Sequence, residues 1–558
     1  MKRLILTLIT VLSASFAFGQ GVTTSAISGQ ITDETGEPLP GASVVAVHEP
    51  TGTTYGAAAD FDGFFRISGM RAGGPYRISF SYVGFETDTR TNFFLTLGRT
   101  STFSVDLPES ATQLEEVFVT GPSTGTFRAS KTGTETTVTQ RDVQALPATS
   151  RSLADFVRIT PQAQVTEGND GFSISLAGQN NRYNAIYIDG AVNNDVFGLA
   201  GSGTNGGQTG VNPLSVDAIE TIQINIAPFD VKQSGFSGGS INAITRSGSN
   251  NWEGSAYGFL RNQSLAGKTP PGLVGDDEER QRLDDFTALT YGVRIGGPII
   301  KDKLFFFVNY ERQDDETPQP FNFSNYIGRS SVADLDNLSN FLGNTYGYEP
   351  GIFDNNTRTL ESNKLTAKVV WNINEDHKIS LRYVYVGAEN LESMSSGFRN
   401  IGFINGSEFF ETTTHSLALE LNSRFGNKFA NNFVLGYTSV SDDRDPLGDP
   451  FPTVDIQDGA GFISFGAEPF STANLLDQDV LTITNNFEIY AGRHNVTLGT
   501  NLEFAKVKNL FFAFNYGDYT FEDQFDDTGN LISSGLNQFL TGQNADVYQH
   551  GYSLVGDG

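Results

Sequence analysis

Two glycine-spaced motifs, five histidines and two acidic stretches are the places where this 558-residue chain could do chemistry. Gly201-Ser202-Gly203-Thr204-Asn205-Gly206 has the GxGxxG spacing that lets a backbone approach a pyrophosphate. That use needs a strand before the glycines and a helix after them. "VFGLA" ahead is a poor strand and "GQTGVNP" behind is no helix, so a flexible loop is expected. Gly235-Phe236-Ser237-Gly238-Gly239 has the GxSxG spacing of a nucleophilic serine, which requires a strand, a sharp turn, a helix and a later Asp and His. "SINAITRSG" after it reads as strand, so a glycine turn is expected. His48, His377, His415, His494 and His550 are scattered, with no HExxH and no i, i+4 pair to hold zinc. Asp60-Phe61-Asp62-Gly63 lacks the later carboxylates of a calcium loop and reads as a turn. Ser441 to Asp458 ("SDDRDPLGDPFPTVDIQD") is acidic enough for calcium, but a solvated loop is the simpler expectation. No catalytic, metal or cofactor site results, and the chain is not expected to be an enzyme.

Composition narrows the class. A formal net charge of −28 argues against wrapping nucleic acid, which takes clustered Lys and Arg. The absence of Cys excludes disulfides, thiolate catalysis and Cys-ligated metal. The 45 Phe, 19 Tyr and 61 Gly favour strands and turns over helices. Met1-Lys2-Arg3, the apolar run Leu4 to Phe18 and the small-x-small site Ala17-Phe18-Gly19 form a secretory signal peptide over residues 1–19. No later stretch approaches 18 apolar residues, so the only membrane-spanning form open to the chain is a closed β-barrel.

The elements fall into three regions. Residues 26–107 read as a small β-sandwich of about seven strands, with strand-like runs Ala42 to Val47, Phe64 to Ile67, Tyr76 to Tyr82 and Ser101 to Leu107 between turn signals. Residues 122–250 read as a compact mixed α/β unit. Ser150 caps a short helix carrying Leu153, Phe156 and Val157; strands follow at Ala185 to Ile188 and at Ile222, Ile224 and Ile226; a Gly- and Asn-rich loop spans Gly198 to Gly210.

From residue 251 to 558, segments of about ten residues alternate apolar and polar. Nine strands are expected at 252–261, 286–296, 304–312, 364–372, 378–386, 414–424, 432–440, 480–490 and 495–505. Their connections run long, short, long, short without exception, and that asymmetry with that strand length marks an outer-membrane barrel. Arg294, Lys364, Lys368, Arg382, Glu420 and Glu503 fall on the polar, inward face, where packing and hydration are preferred to a substrate role. Nine is odd, "YSLVGDG" is no closing strand, and residues 506–558 have room for one or two more strands, so an N-terminal fragment of a longer chain is expected.

Between the first two regions lies "LEEVFVTG", residues 114–121. It is rich in strand formers, yet nothing near it in sequence is left to pair with it. It is either an interdomain strand docked on the sandwich or a strand that adds to the sheet edge of another protein.

The ordered set of segments resembles a known family. "GQITDETGEPLPGASV" (29–44), "DFDGFFRI" (60–67) and "YVGFET" (82–87) resemble the carboxypeptidase-regulatory-like domain, a non-catalytic sandwich. "LPATSRSLADFVRITP" (146–161), "YNAIYIDG" (183–190), "AIETIQI" (218–224) and "GGSINAITRSGSN" (238–250) resemble the plug of TonB-dependent outer-membrane receptors. "GGPIIKDKLFFFVNYE" (296–311) resembles the first strands of the Oar-like branch. The glycan-importing branch ends its plug with an "ANGVILITTK"-like run, which is replaced here by "SGGSINAITRSG". The resemblance implies a mainly β fold of sandwich, mixed α/β plug and transmembrane antiparallel barrel. The family barrel has 22 strands, of which this chain would hold the first part.

It also implies that LEEVFVTG is a TonB box, with Leu114, Glu115, Glu116, Val117, Phe118, Val119 and Thr120 binding TonB and its inner-membrane energising complex. The expected location is the outer membrane, in contact with its lipids, with the sandwich and box on the periplasmic side. The expected function is energised uptake of an unidentified ligand. Export of a secreted protein, or surface assembly, is the alternative the Oar-like branch implies; a non-transporting adhesin is a third, for which plug and box would have no use.

Overall fold

The computed structural model describes residues 21–110, 134–146, 151–168, 171–228, 230–233, 235–270, 279–492 and 494–552. The signal segment 1–19, LEEVFVTG and Ser150 lie outside the described residues.

The first body is a sandwich of a three-stranded and a four-stranded sheet. Strands Phe64–Arg71, Thr24–Asp33 and Thr100–Leu107 form one sheet; Thr53–Ala58, Ser43–His48, Gly73–Ser81 and Asp88–Leu95 form the other. Alternation drives the packing. Ile27, Ile31, Phe65, Ile67, Ile78 and Phe80 point inward and are buried, and the Phe80 ring lies 5.6 Å from both Phe65 and Phe103. Asp60 Oδ1 accepts from the backbone N–H groups of Asp62 and Phe64 at 3.0 and 2.8 Å, so this carboxylate closes a turn.

The second body is built on a five-stranded sheet ordered Ala191–Val192, Ala185–Ile188, Gly239–Thr245, Ile219–Ile226, Thr134–Thr139. Ala185–Ile188 runs parallel to Gly239–Thr245. Both of its faces are covered, which is why "AIYI" is apolar throughout instead of alternating. The core of this body is completed from outside: Phe156, Val157, Ile174, Ile222 and Ile241 share one cluster with Phe307, Val384 and Val386 of the surrounding barrel wall.

Two expectations are corrected here. The helix Leu153–Val157 is capped by Ser152, whose backbone N–H donates to Asp155 Oδ2 at 3.2 Å, and not by Ser150. The glycine loop is packed and not loose: Ser202, Thr204, Asn205 and Thr209 are buried. Any side chain at Gly206 would sit 2.6 Å from Thr412 Cγ2 on the barrel wall, at φ +67, so only glycine lets the loop lie there.

The barrel sheet has nine strands, each hydrogen-bonded to the next in the chain. They are β1 (Glu253–Asn262), β2 (Thr287–Ile300), β3 (Leu304–Gln319), β4 (Asn356–Asn372), β5 (His377–Glu392), β6 (Glu408–Phe425), β7 (Phe429–Pro446), β8 (Leu475–Ala491) and β9 (His494–Leu510). All pairs are antiparallel, and β1 and β9 are the edges of the open sheet. Inward residues such as Asn309, Lys364, Thr366 and Arg382 are buried, whereas Val293, Ile295, Leu381, Leu417 and Leu498 are exposed on the outside. An exposed apolar outer face over a polar interior suits a sheet solvated by lipid.

On that outer face, toward the long loops, five carboxylates lie side by side. Asp314 (β3) pairs with Glu361 (β4), Glu361 with Glu389 (β5), Glu389 with Glu411 (β6) and Glu411 with Asp443 (β7).

The long loops fold into a body of their own. A five-stranded sheet, ordered Asn400–Gly402, Gly461–Phe465, Thr453–Asp458, Asp518–Phe521, Val547–Gln549, packs with helices Val332–Tyr346 and Gly535–Leu540. Leu335, Leu338 and Leu342, spaced for one helix face, are buried with Phe403, Ile456, Phe465 and Phe539. Ser331 caps the longer helix in a reciprocal box with Asp334, and Gly347 ends it at φ +68.

This loop-side cap overturns two expectations. Among the described residues beyond Leu510 there is no further barrel strand, because Phe521 and Phe539 are drawn into the cap core. The acidic stretch 441–458 is not a solvated loop. Asp458 is 2 % exposed and accepts from Ser330 N, Ser330 Oγ and Tyr326 OH at 2.9, 3.0 and 2.9 Å.

Candidate functional site: the plug–barrel contact

The chain's charged inward residues converge on the plug at two nodes. The first is Asp189, which follows the buried strand Ala185–Ile188 at φ +48, a left-handed conformation that Asp tolerates better than most residues. Lys368 Nζ of β4 donates to Asp189 Oδ1 at 2.9 Å, and the Nε of Arg382 (β5) lies 3.6 Å from Oδ2. The Thr245 backbone N–H donates to Oδ1 at 3.0 Å and the Thr245 hydroxyl donates to Oδ2. Burial alone would raise the Asp189 pKa. The two cations and the Thr245 hydroxyl outweigh it, so the carboxyl is held below its ordinary value. Arg382, 1 % exposed, also donates to the Ile188 carbonyl at 2.9 Å and to Ser416 Oγ at 2.9 Å.

The second node is Glu311 on β3. It accepts from Lys364 Nζ at 3.1 Å, from Ser215 Oγ of the plug at 2.8 Å and from Tyr257 OH at 3.0 Å. Arg151 of the plug lies 3.8 Å from it, pairs with Asp217, and stacks over Phe259 with 4.0 Å to the ring centre. Arg294 donates to the Asp217 carbonyl at 3.4 Å. On β6, Glu420 accepts from the Thr23 hydroxyl at the start of the sandwich and from Asn432 at 2.8 Å. Glu503, on the edge strand β9, is exposed.

The structure thus brings Lys368, Arg382 and Arg294 to the plug, Lys364 to Glu311 of β3, which in turn meets Ser215 of the plug, and Glu420 to the segment leading into the sandwich. Asp189, Glu311 and Arg151 were missed by sequence reasoning. The available signal for Asp189 was a carboxylate directly after an all-apolar strand and directly before a glycine. The seven residues from Leu114 to Thr120 lie outside the described residues.

Chemically, the contact joins two buried ion-pair nodes to an apolar cluster that the plug shares with Phe307, Val384 and Val386 of the wall. The ion pairs fix the register of the two bodies, and an unpaired charge left at either node would be strongly destabilising. The arrangement offers no nucleophile–base pair. Among the described residues no group of three or more His, Cys, Asp and Glu is placed to hold a metal. Among the described residues no helix is long and apolar enough to cross a membrane, which says nothing of crossing by strands.

Comparison with known proteins agrees with this architecture. Residues 26–108 match the carboxypeptidase regulatory-like domain, 128–240 the TonB-dependent receptor plug domain, and 244–327 with 326–554 an outer membrane beta barrel domain. The chain is 24% identical over 455 residues to the TonB-dependent transporter Oar of Myxococcus xanthus, covering 76% of this chain and 40% of that protein. It is 14% identical to the outer membrane transporter YddB of Escherichia coli, with a TM-score of 0.49 over 71% of this chain and 51% of that one. Against a mutant of the ferric enterobactin receptor PfeA of Pseudomonas aeruginosa the identity is 12% and the TM-score 0.46, over 68% and 49% of the two chains. The chain therefore spans about half, or less, of the length of these relatives. A matching plug seated in a matching barrel sheet, behind a regulatory-like sandwich, places the chain in the family of TonB-dependent outer-membrane β-barrel receptors.

Proposed function

We propose that the protein is an energised transporter of the outer membrane, importing a ligand through the barrel when its plug is displaced. The observation that carries this reading is the Asp189 node. The plug is held to the wall by a carboxylate shared between Lys368 and Arg382, beside the apolar cluster around Phe307, and a displaced plug would have to give up both contacts. Leu114 to Thr120 would supply the handle: an extended strand that adds to a sheet edge of TonB by backbone hydrogen bonds, on the periplasmic side. The ligand would approach from the loop-side cap.

The test is deletion of Leu114 to Thr120 in the complete gene, in the native host, at matched receptor abundance. Loss of depletion of one or a few nutrients from the medium supports import through this barrel. Loss of one or a few secreted proteins, with nutrient depletion intact, reverses the direction to export. No change in either refutes an energised role for these residues.

A further inference from the structure

The sandwich is seated on the turn-side rim of the barrel and on the plug at once. Arg71 Nη2 donates to both oxygens of Glu220 on the plug, at 3.0 and 2.8 Å. Gln223 Nε2 of the plug donates to the Leu97 carbonyl at 2.8 Å. On the barrel side, Ser68 Oγ donates to Glu488 Oε2 at 2.9 Å and accepts from Tyr490 OH at 2.7 Å, both on β8. Asn372 Nδ2, at the end of β4, donates to Thr53 Oγ1 at 2.8 Å.

An open cleft with a cavity of about 100 Å³ lies between the three bodies. Thr53, Tyr55 and Arg71 floor it, Glu220 and Thr245 of the plug line one side, and Lys368 of the Asp189 node opens onto it. The sandwich core and the plug core share no residue, and the joint between them is made of ion pairs and hydrogen bonds. Polar contacts of this sort between domains separate more readily than a common apolar core.

We propose that the N-terminal sandwich is a second gate: docked, it floors the turn-side mouth and braces the plug through Arg71 and Glu220, and it must undock before the lumen opens to that side. The inference rests on the transport reading above. The chain leaves the sandwich at Ser110 and enters the plug at Thr134, with the candidate box between them, so a pull there loads both bodies.

None of the 558 residues is a cysteine, so with any cysteine elsewhere in the complete protein replaced by serine an introduced thiol is a unique reporter. Thr53 is buried at the joint, and the complete protein carrying Thr53→Cys can be exposed to N-ethylmaleimide, small enough to reach the periplasmic side, in host cells with and without a protonophore. The expected result is labelling several-fold higher in energised cells, with the rise lost when Leu114 to Thr120 are deleted. Equal labelling in energised and uncoupled cells overturns the gate. A rise that survives the deletion keeps the gate and refutes the box as its handle, which separates the two readings. A second variant guards against misfolding of that one. Ser68 sits at the same joint, donating to Glu488 Oε2 at 2.9 Å, and Ser68→Cys only exchanges a hydroxyl for a thiol. Its labelling should also rise several-fold in energised cells. Equal labelling in the two states overturns the gate as well.

Discussion

Lys368 Nζ on the barrel wall and Asp189 Oδ1 on the plug lie 2.9 Å apart across 179 residues of sequence, and Arg382 reaches the same carboxylate from the next strand. One carboxylate is therefore shared by two buried cations. Removing the anion should cost more than removing either cation. Asp189→Asn leaves Lys368 and Arg382 facing each other without a counter-charge, and about 3–5 kcal/mol of plug docking should be lost. Lys368→Met leaves the Arg382 contact in place and should cost less. Limited proteolysis of the plug in detergent-solubilised protein ranks the two variants; an equal or reversed ranking would show that the node does not bear the seal.

The nine barrel strands were legible because their alternation is imposed by two solvents, lipid outside and plug inside. Their turn-side ends lie within a few residues of expectation, as at Leu304, Asn372 and His377. Their loop-side ends run further, to Gln319, Asn356, Glu392, Glu408 and Pro446. There both faces are polar and the period-two signal vanishes, as the carboxylates at 314, 361, 389, 411 and 443 show. The loop-side cap was not legible at all. Its strands are three to six residues long, and its core joins Leu335, Phe403, Phe465 and Phe539, which only the tertiary fold brings together. Asp189 was hidden for the same reason: its cationic partners sit on barrel strands far along the chain.

The sandwich joint should weaken in acid. His48 is buried, and its Nδ1 lies 2.7 Å from Thr51 Oγ1, which lies 2.7 Å from Thr53 Oγ1, the acceptor for Asn372. Burial, and then the charge of Arg71, push the imidazole pKa down from 6.5 to about 3. The folded state thus favours the neutral ring. This contribution is fully present above pH 6.5 and is lost as the pH falls from there toward about 3. The slope is about 1.4 kcal/mol per pH unit. Denaturation of the parent should show that slope between about pH 6.5 and about pH 4.5, and His48→Gln should flatten it. An unchanged slope in the variant would assign the acid sensitivity to other groups.

The carboxylate row on the outer face is a built-in repulsion. Glu389 has a like charge directly opposite on each side, Glu361 and Glu411. Glu389→Gln should stabilise the sheet by about 0.2–1 kcal/mol at low ionic strength. The gain should shrink as salt screens the row. Glu361→Gln should gain less, because Glu361 accepts from Arg312, which also holds Asp314 with its Nε at 2.7 Å. Thermal midpoints of detergent-solubilised variants at low and high salt decide the matter; a destabilised Glu389→Gln would mean that a cation already bridges the row.

The cap should come apart without the barrel. Phe465 is fully buried, with ring centres of Phe539, Phe451 and Phe403 at 5.4, 6.2 and 6.3 Å. Phe465→Ala removes the centre of this aromatic cluster, a change that costs about 3–5 kcal/mol in a well-packed core. The cap core shares no residue with the plug core, to which the barrel wall contributes Phe307, Val384 and Val386. The loss should therefore stay local. Proteases should cut the stretches 320–355 and 447–474 in the variant, while the strands keep the parent's resistance to heat and detergent. If cap and barrel lose resistance together, they form one cooperative unit, and a ligand closing on the cap would then act on the plug through the strands that join them.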